Sequence, residues 1–383
     1  MRLSDFTEIN PYEKLPKGTI AKKISMEQLE PYEKFVSGYS LEAYSGGAKF
    51  RNGDTIMARI TPCLENGKTA FVSTLDKNEV GFGSTEYIVF RAKDGISHPD
   101  FVYYLVISSL VREPAIKSMV GSSGRQRVQQ TVIDELEVPN YSLAEQQHIV
   151  DILGSIDEKI ESNNKIIDKN NAIMRLLFSN FYEKMKLSSE TVPIGSLELT
   201  VSDFVANGSF ASLKENVEIL DNLSYAYFIR NTDLKAGAFN KFVSEDAYRF
   251  LAKSALYGHE VLISNVGDVG SVFLCPKLNK PMTLGNNMIF INSKGKDCYN
   301  YYLFFLFSSE EGQYLIRGIT GGSAQPKFNK TDFRNIMVYN PSEKLLADFN
   351  KNVEVYLNRN TLCHSENLNL NRLKQLYLKK FFG

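Results

Sequence analysis

The chain has 383 residues, 43% of them hydrophobic, with 44 basic and 44 acidic side chains, which excludes the basic surplus typical of a general polyanion-binding protein. No apolar run reaches the length of about 20 residues that a membrane span needs, and the first residues lack the apolar segment of a secretion signal. The four cysteines and four histidines follow no zinc-binding spacing, so we expect a cytoplasmic protein with no metal site and no membrane contact.

The first predicted domain, residues 1–141, is rich in short strands, and the chain is long enough for two or three such domains. Runs at 55–60, 69–73 and 86–90 contain β-branched and aromatic residues between Gly, Asn and Asp, which predicts strands. Apolar side chains keep helical spacing over 99–117, where we predict a helical stretch. The glycines and serines of residues 121–124 then predict a loop.

Residues 142–187 are predicted to form a long helix. Apolar or amide side chains recur there in a 4-3-4-3 rhythm that is typical of a coiled-coil seam. The seam positions are Ile149, Leu153, Ile156, Ile160, Asn163, Ile167, Asn170 and Met174.

Residues 188–340 repeat the order of the first domain. Runs at 225–230, 260–265, 271–274 and 288–292 predict strands, a helix is predicted near 299–317, and a loop follows at 321–324. Strands surrounding helices without regular alternation indicate an α+β fold. A second long helix is predicted over residues 341–383, with seam positions Phe349, Val353, Tyr356, Asn360, Asn367 and Leu370.

The two domains are related by an internal duplication. The segment Gly121-Ser122-Ser123-Gly124-Arg125-Gln126-Arg127-Val128 is echoed about 200 residues later by Gly321-Gly322-Ser323-Ala324-Gln325-Pro326-Lys327-Phe328. Tyr103-Tyr104-Leu105 likewise returns as Tyr301-Tyr302-Leu303. A duplicated domain, followed each time by a long helix, suggests a protein that grips two similar ligands at a fixed distance.

Two asparagines in each seam distinguish between the possible helix arrangements. A parallel pair in the repeat register places Asn163 opposite Cys363. An antiparallel pair instead places Asn163 opposite Asn367. It also places Asn170 opposite Asn360. A buried amide without a partner costs about 1–3 kcal/mol, so the antiparallel pair is favoured.

The predicted fold is therefore α+β, with two similar α/β domains separated by a long antiparallel two-helix coiled coil and related by pseudo-two-fold symmetry. Helices of about 40 residues would span roughly 60 Å. The alternative is two unrelated amphipathic helices, each packed on its own domain.

The chain lacks the motifs of an enzyme that acts on DNA. Asn10-Pro11-Tyr12 and Gly81-Phe82-Gly83 only approximate the target-amine and methyl-donor motifs of an amino-methyltransferase, and they occur in the wrong order. No Gly-x-x-x-x-Gly-Lys-Ser/Thr phosphate loop and no nucleophile signature is present. Asp157-Glu158-Lys159 resembles the end of some nuclease motifs, but in the predicted helix we expect it to form a solvated charged face. We predict no catalytic residues, which disfavours a self-sufficient methyltransferase or nuclease.

Polar side chains on and beside the two Gly-Ser loops are candidates for binding DNA. Arg or Lys can pair with guanine O6 and N7, and Gln with adenine N6 and N7, although the same groups also hold phosphates. The candidates in the first domain are Arg59, Lys68, Ser123, Arg125, Gln126 and Arg127, and those in the second are Asn265, Asn287, Ser323, Gln325 and Lys327. The alternative is that the loops are solvated turns and that the candidates outside the loops have structural roles.

Several segments taken together resemble a type I restriction-modification specificity subunit over almost the whole chain. In the first half these are Gly53-Asp54-x-Ile56-Met57-Ala58-Arg59, the Gly-Ser loop before Val132-Ile133, Val138-Pro139 and Leu143-x-Glu145-Gln146-x-x-Ile149. In the second half they are Phe204-Val205-Ala206-Asn207-Gly208-Ser209-Phe210, Ile229-Arg230-Asn231-Thr232-Asp233-Leu234 and Val261-Leu262-Ile263-Ser264-Asn265-Val266-Gly267. The entry of the second helix departs from the pattern, because Asn340-Pro341 and Leu345-Leu346 stand where the first has Pro139 and Glu145-Gln146.

The resemblance implies two target recognition domains, 1–141 and 188–340, each recognising one half of an asymmetric bipartite DNA site. The helices at 142–187 and 341–383 would set the spacing and dock two modification subunits, which bind S-adenosylmethionine and methylate adenine. Restriction subunits would add translocation and cleavage that use ATP and magnesium. Double-stranded DNA and both kinds of subunit are thus the expected partners, and no cofactor is expected in this chain.

A different class of protein remains open, a two-headed coiled-coil scaffold that binds protein or glycan ligands instead of DNA. The zero net charge and the 20 Tyr and 25 Phe of the chain are compatible with it.

Overall fold

The computed structural model describes residues 1–122, 124–293, 298–322 and 324–383. The chain divides into two compact units, one formed by Met1–Ile167 with Thr361–Gly383 and the other by Asp168–Asn360. Each unit mixes helices and sheets, as predicted, and no helix in the described ranges is both long and apolar enough to cross a membrane. The functional division at residues 141, 187 and 340 stays a prediction.

The first unit contains two four-stranded sheets. Its strands are β1 (Thr7–Ile9), β2 (Ile20–Ile24), β3 (Ser40–Ala43), β4 (Lys49–Phe50), β5 (Thr55–Ala58), β6 (Thr69–Phe71), β7 (Gly81–Gly83) and β8 (Tyr87–Ala92). One sheet has the order β1-β8-β5-β6 with all neighbours antiparallel. The other has the order β3-β2-β7-β4, with β2 and β7 parallel at its centre.

The helices of the first unit include a break that the sequence did not predict. They are α1 (Leu3–Phe6), the 3-10 turn Met26–Gln28, α2 (Pro99–Ile107), α3 (Ser109–Lys117), α4 (Gln130–Asp134) and the first part of α5 (Leu143–Ser188). The last part of the C-terminal helix Glu343–Phe382 also belongs to this unit. The helical stretch predicted over 99–117 consists of two helices, because Ser108 is extended (φ −69°, ψ 163°) and ends α2. Its hydroxyl donates to the Leu105 carbonyl at 2.6 Å and so satisfies a helix end.

The second unit repeats both sheets of the first. Its strands are β9 (Thr191–Pro193), β10 (Leu199–Asp203), β11 (Ala226–Ile229), β12 (Phe242–Val243), β13 (Ala255–Leu256), β14 (Val261–Ser264), β15 (Val272–Leu274), β16 (Met282–Leu284), β17 (Met288–Ser293) and β18 (Met337–Tyr339). The orders are β10-β17-β14-β15, all antiparallel, and β12-β11-β16-β13, with β11 and β16 parallel, and β9 pairs with β18. The duplication seen in the sequence is therefore a duplication of sheet topology.

The helices of the second unit show the same break. They are the last part of α5, α6 (Phe210–Asn216), α7 (Asn231–Ala236), α8 (Glu245–Phe250), α9 (Cys298–Ser308), α10 (Glu310–Ile319), α11 (Lys330–Arg334) and the first part of α12 (Glu343–Phe382). The 3-10 turns lie at Ile194–Ser196, Phe204–Asn207 and Ala252–Ser254. The helix predicted near 299–317 is interrupted at Ser309, whose hydroxyl donates to the Leu306 carbonyl at 2.6 Å.

The long helices pack against each other in antiparallel register within each unit. In the first unit, Asn163 Nδ2 donates to Asn367 Oδ1 at 2.8 Å. In the second, Asn170 Nδ2 donates to Asn360 Oδ1 at the same distance. Both contacts are those that the asparagine spacing predicted for an antiparallel pair. Eleven of the predicted seam residues are buried, and Tyr356, Asn367 and Leu370 are half-buried; the buried ones are Ile149, Leu153, Ile156, Ile160, Asn163, Ile167, Asn170, Met174, Phe349, Val353 and Asn360.

From the sequence we expected Asp157, on α5, to be part of a solvated charged face. This expectation is wrong for Asp157. It is 4% exposed, and its carboxylate accepts hydrogen bonds from Lys374 Nζ at 2.6 Å and from the Tyr104 hydroxyl at 2.8 Å. The ammonium lies 217 residues away in the chain, so a pattern confined to one helix does not reveal it.

Candidate nucleic-acid interface

The first Gly-Ser loop is the tip of a narrow hairpin. Val120 and Arg127 exchange backbone hydrogen bonds of 3.0 and 2.9 Å, and the Val128 amide donates to the Arg59 carbonyl at 2.9 Å. Gly121 has φ +140°, and a Cβ there would lie 2.8 Å from the Arg125 carbonyl oxygen, so the tight turn requires glycine. The hairpin is thereby attached to the residue that follows β5.

The second loop is built in the same way. Gly321 and Lys327 exchange backbone hydrogen bonds of 2.9 Å, and the Phe328 amide donates to the Asn265 carbonyl at 3.1 Å. Gly322 has φ +93°, and a Cβ there would meet the Gln325 carbonyl oxygen at 2.5 Å. The repeated sequence thus produces a repeated hairpin, one in each unit.

Two of the DNA-binding candidates hold these hairpins in place through side-chain hydrogen bonds. Arg59 Nη2 donates to the Val128 carbonyl at 3.1 Å, and Asn265 Nδ2 donates to the Phe328 carbonyl at 3.3 Å. Both side chains are half-buried at equivalent positions of the two units. Each therefore has a structural role beside the loop, and its contact with DNA stays a prediction.

The other candidates outside the loops differ from each other. Lys68 is half-buried, and its Nζ donates to the Met26 carbonyl at 2.8 Å. Asn287 is exposed and lies where the Asn265 amide donates to its carbonyl at 3.1 Å. The Lys68 ammonium is thus already hydrogen-bonded within its own domain. The Asn287 side chain, in contrast, faces solvent beside the second hairpin.

Cationic and amide side chains lie on the surface at the hairpin tips. Arg125, Arg127, Gln325 and Lys327 are exposed. Gln126 is half-buried, and its backbone amide donates to Thr61 Oγ1 at 2.9 Å. The candidates Ser123 and Ser323 lie outside the described residues.

Glu86, which the sequence analysis missed, holds the Arg127 side chain. Arg127 Nε donates to both carboxylate oxygens at 3.0 Å, and Nη2 donates to Oε1 at 2.7 Å. The guanidinium lowers the pKa of the Glu86 carboxyl, so the pair is ionised at neutral pH. The two residues are 41 positions apart, and nothing in their local sequences signals the contact.

A cavity with an exposed aromatic ring lies next to each hairpin. In the first unit it measures about 450 Å³, and Arg59 and Tyr12 are among its lining residues. In the second it measures about 390 Å³, with Asn265 and Phe210 in the lining. Tyr12 and Phe210 are 84% and 82% exposed, and large exposed aromatics of this kind are typical of binding surfaces.

No group of three or more His, Cys, Asp or Glu side chains within the described ranges is arranged to hold a metal ion.

Comparison with known proteins gives a consistent set of matches. Residues 1–171 and 198–345 each match the family model described as type I restriction modification DNA specificity domain. The type I restriction enzyme EcoAI specificity subunit of Escherichia coli is 35% identical over 105 residues, which are 27% of this chain and 18% of that protein. The EcoEI specificity subunit of Escherichia coli is 31% identical over 109 residues, 28% of this chain and 18% of that protein. The matched segments thus span less than a fifth of these relatives.

Among solved structures, the chain is similar to the S subunit of a type I restriction-modification system from M. genitalium. The TM-score is 0.59 at 15% sequence identity, over 100% of this chain and 95% of that one. At this identity the likeness concerns the fold.

Proposed function

Because the chain belongs to the type I restriction modification DNA specificity family, we propose that it is the subunit that selects the DNA site of a modification complex. In this proposal each target recognition domain recognises one half of a bipartite sequence in double-stranded DNA. The equivalent hairpins are the observation that most supports it. They present Arg125, Gln126 and Arg127 in one unit where the other has Gln325 and Lys327, so the two half-sites differ.

The chemistry of the hairpins suits this role. Exposed cations can neutralise phosphates, and the flat guanidinium and amide groups can pair with base edges in the major groove. The net charge of zero fits a protein that contacts DNA at two small surfaces and uses the rest of its surface for other partners. The family match lends no support to a scaffold for protein or glycan ligands.

We further propose that the helix pair sets the distance between the half-sites and docks two modification subunits. The asparagine pairs fix its register, and α5 and α12 are 46 and 40 residues long. Both helices also expose apolar side chains away from the seam, namely Leu176, Leu187, Leu362, Leu368 and Leu376, each more than 60% exposed. Exposed leucines of this kind favour a protein partner.

Catalysis in this proposal belongs to the partners. Modification subunits would bind S-adenosylmethionine, restriction subunits would bind ATP and magnesium, and this chain would hold no cofactor. The complex would act in the cytoplasm.

The proposal is tested by co-expressing the chain with its modification subunits and sequencing the methylated bases of the host DNA. We expect methylation at one asymmetric bipartite sequence, and none when either component is omitted. A matched variant with the residues of 321–327 replaced by those of 121–127 should change one half-site and leave the other unchanged. Methylation by this chain alone, or an unchanged methylation pattern without it, would contradict the proposal.

A further inference from the structure

We propose that Arg127 recognises a guanine in the half-site of the first unit and that Glu86 is the residue that positions it. The inference rests on the proposed function, since it requires that the first hairpin enters the major groove. It starts from the arrangement of the Arg127 and Glu86 side chains, which leaves one edge of a fixed guanidinium open to a ligand.

The hydrogen bonds to Glu86 use only one edge of the guanidinium. A guanidinium has five N–H donors in one plane. Arg127 Nε and Nη2 donate to the carboxylate at distances of 2.7 to 3.0 Å. Nη1 donates to no residue in the described part of the chain, and the side chain is 48% exposed. The edge formed by Nη1 and the second Nη2 hydrogen is therefore available, and its spacing matches O6 and N7 of guanine.

The backbone fixes both partners before any DNA is bound. Arg127 exchanges two hydrogen bonds with Val120, as the hairpin requires. The Glu86 carbonyl accepts from the Arg59 amide at 2.9 Å, and the Glu86 amide donates to Ser84 Oγ at 3.0 Å. A long side chain that is already held loses less rotamer freedom on binding, which favours both affinity and discrimination.

The second unit offers a natural contrast at the same place. The Asn265 amide donates to the Asn287 carbonyl as the Arg59 amide does to that of Glu86, so Asn287 stands in the position of Glu86. Lys327 stands in that of Arg127, and no carboxylate in the described residues forms an ion pair with it. An ammonium group is a point charge without a planar edge. The guanine contact made by a planar edge that is held in advance is thus assigned to the first unit.

The test uses the complete complex with its modification subunits and a library of DNA sites. Wild-type protein should select a guanine at one position of one half-site. Arg127→Lys, which keeps the charge, should lower the preference for that guanine about 10- to 100-fold and leave the other positions unchanged. Glu86→Gln should reduce the preference at the same position to a smaller extent, because the guanidinium is then held by a neutral group.

Two controls separate recognition from a structural effect. Lys117→Ala removes an exposed cation of the same unit that lies outside the hairpin, and it should leave the guanine preference intact. Replacing that guanine by 7-deazaguanine, which lacks the N7 acceptor, should weaken wild-type binding and have little effect on Arg127→Lys. A purely structural role of Glu86 would lower binding to all sequences alike.

Retention of the guanine preference by Arg127→Lys, or an equal loss on every sequence, would overturn the inference. If wild-type protein selects no bipartite site at all, the proposed function itself fails, and the inference fails with it.

Discussion

Lys374 and Asp157 form an ion pair inside the first unit, with 2.6 Å between Nζ and Oδ1 and with 2% and 4% of their side chains exposed. The second carboxylate oxygen accepts from the Tyr104 hydroxyl, which in turn accepts from Lys34 Nζ at 3.2 Å. Removing two charges from water is unfavourable, so such a pair is stable only when both charges are compensated. The contact joins α12 to α5 through buried charge, whereas the Lys159–Glu366 ion pair of the same two helices, at 3.1 Å, is half exposed.

Removing one member of this pair should destabilise the first unit strongly. Lys374→Met leaves a buried carboxylate and should lower the free energy of unfolding by about 3–5 kcal/mol. The double variant Lys374→Met with Asp157→Leu should recover most of the loss. Urea unfolding measures both, and the exposed pair Lys117–Glu113 is the control, since Lys117→Met should cost less than about 1 kcal/mol. An equal loss in the double variant would show that the charge itself stabilises the fold.

Cysteine crosslinking should report the helix register directly. Asn163→Cys combined with Asn367→Cys should form a disulfide on oxidation, because the two amides are in contact within the first unit. Asn163→Cys alone retains the natural Cys363, which is the partner in the parallel register, and should not crosslink to it. Peptide mapping under non-reducing conditions distinguishes the products, and a 163–363 disulfide would refute the antiparallel pairing.

The asparagine argument succeeded because it used a strong rule on a regular element. A buried amide needs a partner, and only one helix direction gave partners to Asn163 and Asn170 together. The duplication of sheet topology was equally predictable, since similar sequences fold alike.

The helix breaks at Ser108 and Ser309 were not predictable in this way. Both follow apolar stretches with helical spacing, and each break depends on a serine hydroxyl that bonds back to a carbonyl three residues earlier. The contacts of Glu86 and of the Asp157–Lys374 pair were not predicted for another reason. Their partners are distant in the chain, and single-sequence patterns describe only neighbours. The sequence thus predicted the candidate residues at the hairpin tips, but it did not predict Glu86, which orients Arg127.

Two glycines in α10 should respond in opposite ways to alanine. A Cβ at Gly312 would lie 2.0 Å from the Leu306 carbonyl oxygen, at the break between α9 and α10. Gly312→Ala should therefore lower the free energy of unfolding of the second unit by about 3 kcal/mol or more. Gly318 is exposed and has no neighbouring atom within 4 Å, so Gly318→Ala should stabilise it by up to about 1 kcal/mol. Thermal unfolding measures both changes, and a tolerated Gly312→Ala would contradict the close approach.

The proposed role of the helix pair predicts a change in DNA spacing. Seven residues added to each helix preserve the seam rhythm and lengthen it by about 10 Å, which corresponds to roughly three base pairs. The methylated site should then keep both half-sites and gain about three base pairs between them. The same insertion in α5 alone should abolish methylation, since the seams no longer match. Methylation at the original spacing in the double insertion would contradict the proposal.

Asp268 should contribute stability that depends on pH. Hydrogen bonds from Lys235, Ser271 and Asn231 lower the pKa of its carboxyl from 3.8 to about 2. Because the pKa is lowered on folding, the contribution is complete above about pH 5 and is lost as the pH falls through 3.8 towards 2. The difference in unfolding free energy between wild type and Asp268→Asn should therefore shrink over this window. A difference that stays constant from pH 7 to pH 3 would contradict the assignment.

The end of the chain completes the unit that begins it. Residues Thr361–Gly383 belong to the first unit, where Leu378 and Phe382 enter the core and the Tyr141 hydroxyl donates to the Phe381 carbonyl at 3.1 Å. Domains usually fold in the order in which the ribosome makes them. Here about 200 residues are synthesised between residues 1–167 and the helical segment that completes their unit. The nascent chain must keep that apolar surface protected while the second domain is still being translated.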